Sequence, residues 1–209
     1  VSGVWGPFPT FLSGLRKLCD KHGCLLIVDE IWSGIGRSGK NFSFQYSSII
    51  PDLIVLGKGL SASLPLSAVI AKEGLLKQWK AGAHTSTFQG NPLSCAAASA
   101  TLQEIENSNL LDHIIKNITP CFSRLADSLK EDRNIGQIRF VGAQCAITFE
   151  NAQMANDVQK LAMEKAHILT YGGGLSGECL MLIPPINISE ETLSEGVSKL
   201  VAIIKDRFQ

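Results

Sequence analysis

The chain has 209 residues, 45% hydrophobic and 18% charged, enough for a packed core and too little charge for a disordered chain. Lysine plus arginine and aspartate plus glutamate both total 19, so no basic excess points to a nucleic-acid partner. No apolar stretch reaches the length of a membrane-spanning helix, and no charged-then-apolar leader opens the chain.

VSGVWGPFPT, at the start, carries no initiator methionine and reads as the interior of something longer. Thr10 is placed to cap a helix whose apolar positions are Leu12, Leu15, Leu18 and Cys19, and Gly23 ends it. CLLIVDE (24–30) is a continuous apolar run closed by two acids, as expected of a strand buried on both faces. DLIVLGKG (52–59) and LSAVIA (66–71) repeat that pattern, so an α/β layer with a parallel or mixed sheet is predicted. Asn91-Pro92 is a cap followed by the residue best tolerated at the first helical position, and an alanine-rich helix follows.

A second helical stretch runs over roughly 109–131. Beyond it, IGQIRFVGAQCAITFE reads as strand, MANDVQKLAMEKA as helix and GECLMLIPP as strand. Ser189 should cap a last helix with the stripe Leu193, Val197, Leu200, Val201 and Ile204. Residues 1–110 are expected to belong to a large sheet domain and 111–209 to a smaller α+β domain.

The six cysteines form no C-x-x-C pair, which suits buried free thiols in a reducing cytoplasm; no metal site is expected, even at Cys19, His22 and Cys24. GIGRSGK (34–40) fits G-x-G-x-x-G and misses a phosphate-binding P-loop only because Asn41 stands where Ser or Thr is required. Lys-Asn-Phe-Ser-Phe-Gln-Tyr after Gly39 cannot open the helix that a dinucleotide loop needs, and Asp52 starts rather than ends its strand. A structural turn is the expected reading.

Ionisable residues stand at two strand ends: Asp29 after LLIV, and Lys58 between Gly57 and Gly59. Partial burial would make the Lys58 amine nucleophilic, whereas an isolated G-K-G is more often a surface turn. A buried Asp29 needs a cation, which the ring nitrogen of pyridoxal phosphate or an ordinary salt bridge could provide.

Four stretches in order carry a resemblance: LCDKHGCLLIVDEIWSGIGRSGK, PDLIVLGKGLSASLPLSAVIA, HTSTFQGNPLSCAAASATLQEIE and LIPPINISEETLSEG. Together they resemble the class III aminotransferases, pyridoxal-phosphate-dependent enzymes of fold type I, over essentially the whole chain. The resemblance implies the C-terminal part of the large sheet domain plus the small α+β domain. By it Lys58 is the Schiff-base lysine, Asp29 the partner of the pyridine nitrogen and Ile31 the packing against the ring. Thr87 reaches the cofactor phosphate of the other subunit in a homodimer. The implied reaction is a ping-pong transfer of an amino group from an amine, ω-amino or amino acid donor to a 2-oxo acid. A racemase or lyase of the same fold, or a non-catalytic fragment, are the other readings.

The chain departs from the family pattern in three places. Trp32 stands where many members have a polar residue, often glutamine, near the ring hydroxyl. Met181 occupies the position of a substrate-carboxylate arginine, and no arginine lies between Arg139 and Arg207, which favours an amine or ω-amino substrate, or a carboxylate held by a residue outside this sequence. The N-terminal half, expected to carry most of the phosphate cup, is not in this sequence.

Overall fold

Two short runs of aliphatic residues, β1 (Ile27–Asp29) and β2 (Leu53–Leu56), pair in parallel with Ile27 opposite Leu53 and Asp29 opposite Val55. A third, β3 (Ala68–Ala71), adds to β2 in the antiparallel sense, so the sheet is mixed, in the order β1-β2-β3. The structure is a computed structural model and describes residues 3–6, 10–62 and 64–208. It divides into two compact units, Pro7–Leu111 and Val1–Gly6 with Asp112–Gln209.

In the first unit, α1 (Phe11–His22) ends where Gly23 takes φ 65° and the Cys24 N–H reaches Cys19 O at 2.9 Å. Glycine enters that left-handed conformation without the Cβ clash that penalises other residues. Thr10 occupies the N-cap, but its side chain makes no capping bond; its carbonyl accepts from Gly14 N and Ser13 Oγ instead. Asn91 does cap α2 (Pro92–Asn107), accepting from Leu93 N at 2.9 Å and Ser94 N at 3.3 Å.

The expectation of strands buried on both faces is corrected here. Of CLLIVDE only Ile27–Asp29 is strand, and Leu25 and Ile27 are 56% and 58% exposed. β1 is an edge strand with one neighbour, and no described element of its unit covers these side chains. Apolar sequence shows what a surface prefers to contact, and this unit does not supply the contact.

Asp52 ties the unit together at the start of β2. Its carboxylate accepts from Arg16 Nη1 of α1 at 2.6 Å, Lys72 Nζ after β3 at 2.7 Å and Leu26 N before β1 at 2.7 Å. These charge-assisted bonds hold its carboxyl far below the usual carboxylate range.

The second unit begins within α3 (Leu110–His113), which continues through a π-helical turn, Ile114–Ile118, into α4 (Thr119–Leu129). Pro120 has no N–H to give to the preceding turn, and Thr119 Oγ1 donates to Ile114 O at 3.0 Å. IGQIRFVGAQCAITFE is a hairpin rather than one strand: β4 (Ile135–Val141) and β5 (Gln144–Phe149) turn at Gly142, φ 57°. With β6 (Tyr171–Gly173) and β7 (Cys179–Leu182) they form an antiparallel sheet in the order β4-β5-β7-β6.

Two further helices, α5 (Ala152–Ala166) and α6 (Glu190–Phe208), pack with α4 on that sheet. Ile147, Phe149 and Leu180 of the strands meet Phe122, Leu125, Val158, Leu200 and Ile204 of the helices, all essentially without solvent exposure. The stripe read from the sequence faces inward, and Ser189 caps α6, its Oγ accepting from Thr192 N at 3.1 Å. No helix among the described residues is long and apolar enough to cross a membrane.

Candidate active site

Because β1 and β2 run parallel, Asp29 at the end of one and Lys58 just beyond the other emerge at the same end of the sheet. Ligands of open α/β sheets collect at such carboxyl ends. Both residues are exposed, contrary to the expected burial, because the strand-end segments that carry them are uncovered in this unit. The Lys58 backbone takes φ 40°, a region costly for a residue with a Cβ and concentrated at functional sites.

A cavity of about 820 Å³ opens beside it, walled by Ile31, Gly57, Lys58, Leu66, His84 and Phe88 among others. A Cβ on Gly57 would come within 3.4 Å of Ile31 Cγ2, so glycine keeps this side of the wall flat. The structure thus brings Ile31 and Lys58 to one cavity. Asp29 and Thr87 are not in its wall: Asp29 accepts from Ile31 N at 2.9 Å through Oδ1, and Thr87 is exposed between the wall residues Ser86 and Phe88. Oδ2 of Asp29 has no hydrogen-bond partner among the described residues.

Glu30 is the residue that the sequence did not single out. It is 1% exposed, and its carboxylate accepts from Ser33 Oγ (2.6 Å), Ser43 Oγ (2.8 Å) and Phe44 N (2.9 Å). Its carbonyl accepts from Gly34 N at 3.0 Å. Glu30 therefore fixes the turn that presents Ile31 and Trp32. Its signal was the pair of serines downstream, which acquire meaning only once the chain folds back.

GIGRSGK is a turn and opens no α-helix. Gly36 and Gly39 take φ 82° and 86°, and Tyr46 Oη donates to Ser38 O at 2.8 Å. Lys40 Nζ lies 4.5 Å from the centre of the Tyr46 ring, and burial pushes the Arg37 guanidinium down from its ordinary value. Asp52 is no nucleotide acid but the structural tie described above.

In the second unit Met181 is buried beside Ala146 and Cys179. Arg139 is engaged by neutral groups: it donates to Gly3 O, Gln137 Oε1 and Thr148 Oγ1 and stacks on Trp5 at 3.9 Å. Of the cysteines, Cys121, Cys145 and Cys179 are buried, whereas Cys24 and Cys95 are exposed, so burial expected for all six holds for three.

A family model described as aminotransferase class-III matches residues 2–204. The acetylornithine/succinyldiaminopimelate aminotransferase of Photorhabdus laumondii is 34% identical over 206 residues, 97% of this chain and 50% of that protein. The leucine/methionine racemase of Thermococcus litoralis is 33% identical over 98% of this chain and 47% of its own length. The chain spans about half the length of the curated relatives it matches. Among solved structures, ornithine aminotransferase from Toxoplasma gondii, crystallised with oxidised glutathione and described as partly occupied by pyridoxal phosphate, superposes with a TM-score of 0.91 at 30% identity. That match covers 99% of this chain and 50% of the other, and the share covered in such structures is the C-terminal portion. The matched fold, the matched sequence and the lysine at the strand end agree: the chain belongs to the class-III aminotransferase family.

Proposed function

We propose that the protein to which this chain belongs is a pyridoxal-phosphate-dependent aminotransferase. It would move an amino group from an amine, ω-amino or amino acid donor to a 2-oxo acid in two half-reactions. The observation that carries this is Lys58, held at φ 40° at the carboxyl end of a parallel strand pair in the wall of an ~820 Å³ cavity. That volume suits a small heteroaromatic phosphate, the flat wall at Gly57 suits a planar ring, and Asp29 Oδ2, beside the wall and without a hydrogen-bond partner among the described residues, suits a protonated ring nitrogen.

Bound there, pyridoxal phosphate supplies an aldehyde that joins amines and a protonated ring that draws electron density from the substrate carbon. Lys58 would be the covalent anchor, and its Nζ, when free, would take and return the proton at that carbon. Asp29, just outside the described cavity wall, would hold the proton on the ring nitrogen. Ile31, in that wall, would pack against the ring, and the exposed Thr87 would give its hydroxyl to the phosphate in the other subunit of a homodimer. Apolar Leu66 and Phe88 and the lack of arginine in the described cavity wall support an amine or ω-amino donor. Six cysteines without a paired motif support a cytoplasmic location.

The test is to mix the protein with pyridoxal phosphate, reduce with borohydride and map the modified peptide. Adduct on the Lys58 peptide, lost in Lys58→Ala, is expected; no adduct at Lys58 in the full-length protein would refute the reading. The similarity to a racemase favours one second reading, racemisation at the same lysine. Amino-group transfer from a donor panel to pyruvate or 2-oxoglutarate, against loss of optical rotation without transfer, separates the two.

A further inference from the structure

Lys58 is constrained at its backbone and meets one group at its ammonium. Its backbone is held in the left-handed region, and its ammonium nitrogen lies 4.9 Å from the centre of the Trp32 ring. That distance is within the range at which a cation is attracted by the negative face of an indole. Lys58 makes no ion pair among the described residues, so this ring face is the group that the ammonium addresses. Trp32 is itself held in place. It is half-buried in the turn whose following residues are tied to Glu30 through Ser33 Oγ and Gly34 N.

We infer that Trp32 is a positioning residue: its indole face is the resting place of the Lys58 ammonium whenever that amine is not joined to a carbonyl. This inference rests on the reading of Lys58 as the cofactor lysine. A carboxylate in the same place would hold the ammonium by hydrogen bonds that must be broken before the nitrogen could react. The indole takes none of the three N–H donors, and its attraction acts only on the charged form. Once the nitrogen gives up its proton, the hold lapses without any other group having to move. The amine is thereby offered from one place in the cavity.

The experiment compares the wild-type protein with Trp32→Leu and Trp32→Phe. Competitive trace acetylation, with the exposed Lys77 as internal standard, should modify Lys58 about twofold to fivefold faster in Trp32→Leu than in wild type, with Trp32→Phe in between. In parallel, reductive methylation with ¹³C-formaldehyde keeps the lysine charge. The Lys58 resonance, assigned by its loss in Lys58→Arg, should be shifted upfield by the ring current in wild type. Lys40, which lies over Tyr46, provides a marker of the same kind of shift. An unshifted Lys58 resonance in wild type overturns the inference even if Trp32→Leu fails to fold, as do equal acetylation rates in wild type and Trp32→Leu. Borohydride-trapped adduct on wild-type Lys58 is scored separately: its absence refutes the parent reading, whereas its presence with an unshifted resonance refutes this one alone.

Discussion

Removing the Asp52 carboxylate tests whether one buried acid holds the first unit together. Its side chain is 9% exposed and ties α1, the approach to β1 and the end of β3 to the start of β2. Breaking a buried ion pair by removing one partner costs about 3–5 kcal/mol. The lower end applies here, because Lys72 is half exposed and water can replace its partner, and Arg16 keeps Asp20 at 2.7 Å. Asp52→Ala should therefore lose about 3 kcal/mol, and Asp52→Asn about 2 kcal/mol, since its amide oxygen can still accept from Leu26 N. Urea unfolding followed by the fluorescence of Trp32 and Trp79, both in the same unit, should show lower midpoints with an unchanged slope. The pH dependence has a fixed sign. The folded carboxyl lies below its unfolded value of about 3.9, so the stabilisation is complete above that value and is lost as pH falls towards the folded one. The gap between wild type and Asp52→Asn should narrow by about 1.4 kcal/mol per pH unit below pH 4. An unchanged midpoint in the variant at pH 7, or a gap that persists undiminished to pH 2.5, would refute the reasoning.

Gly34→Ala would place a Cβ 2.8 Å from Glu30 O and 3.0 Å from Glu30 Cβ, where the backbone oxygen cannot yield as a flexible side chain would. It should lower stability by about 1–3 kcal/mol, read as a fall in the thermal midpoint, and shift the Lys58 resonance described above. Phe122→Ala empties the centre of the second unit and should cost about 3–5 kcal/mol in urea unfolding. Asn91→Ala removes the acceptor for Leu93 N and Ser94 N and should cost about 1 kcal/mol, seen as faster amide exchange in the first turn of α2. In the native protein a chromogenic disulfide reagent should react promptly with Cys24 and Cys95. Cys145, whose thiol burial pushes up, and Cys121 should react only on unfolding.

What could be read in advance was what depends on near neighbours in the chain. The α6 stripe and Ser189 cap, the Asn91-Pro92 start of α2 and the Gly23 stop of α1 are local statements about periodicity, capping and positive φ, and each is in the structure. Thr10 shows the limit of even these. The residue type was right for a cap, but a different backbone geometry left its hydroxyl uncommitted to the helix. The hairpin at Gly142 and the short β6 are not legible in the sequence for a related reason. Only pairing with β5 and β7 shows where one strand ends and the next begins.

The site divides along the same line. Lys58 is legible because glycines flank it at the end of an apolar run, and Asp29 because it ends the parallel partner of that run. Glu30 is not legible, although it neighbours Asp29, because which of two adjacent acids turns inward is set by Ser33, Ser43 and Phe44 N. Trp32 could be noted in the sequence only as a departure from the family. Its position under the Lys58 ammonium needs the turn that Glu30 fixes. Glu30 thus acquires its role from donors three to fourteen residues on: Glu30 shapes the turn, the turn presents Trp32, and Trp32 meets the lysine. A change at Glu30 should therefore reach Lys58 without touching it, so Glu30→Gln, which puts an amide among three donors, should weaken the ring-current shift of the Lys58 resonance. Full retention of that shift in Glu30→Gln would break the chain of dependence at its first link.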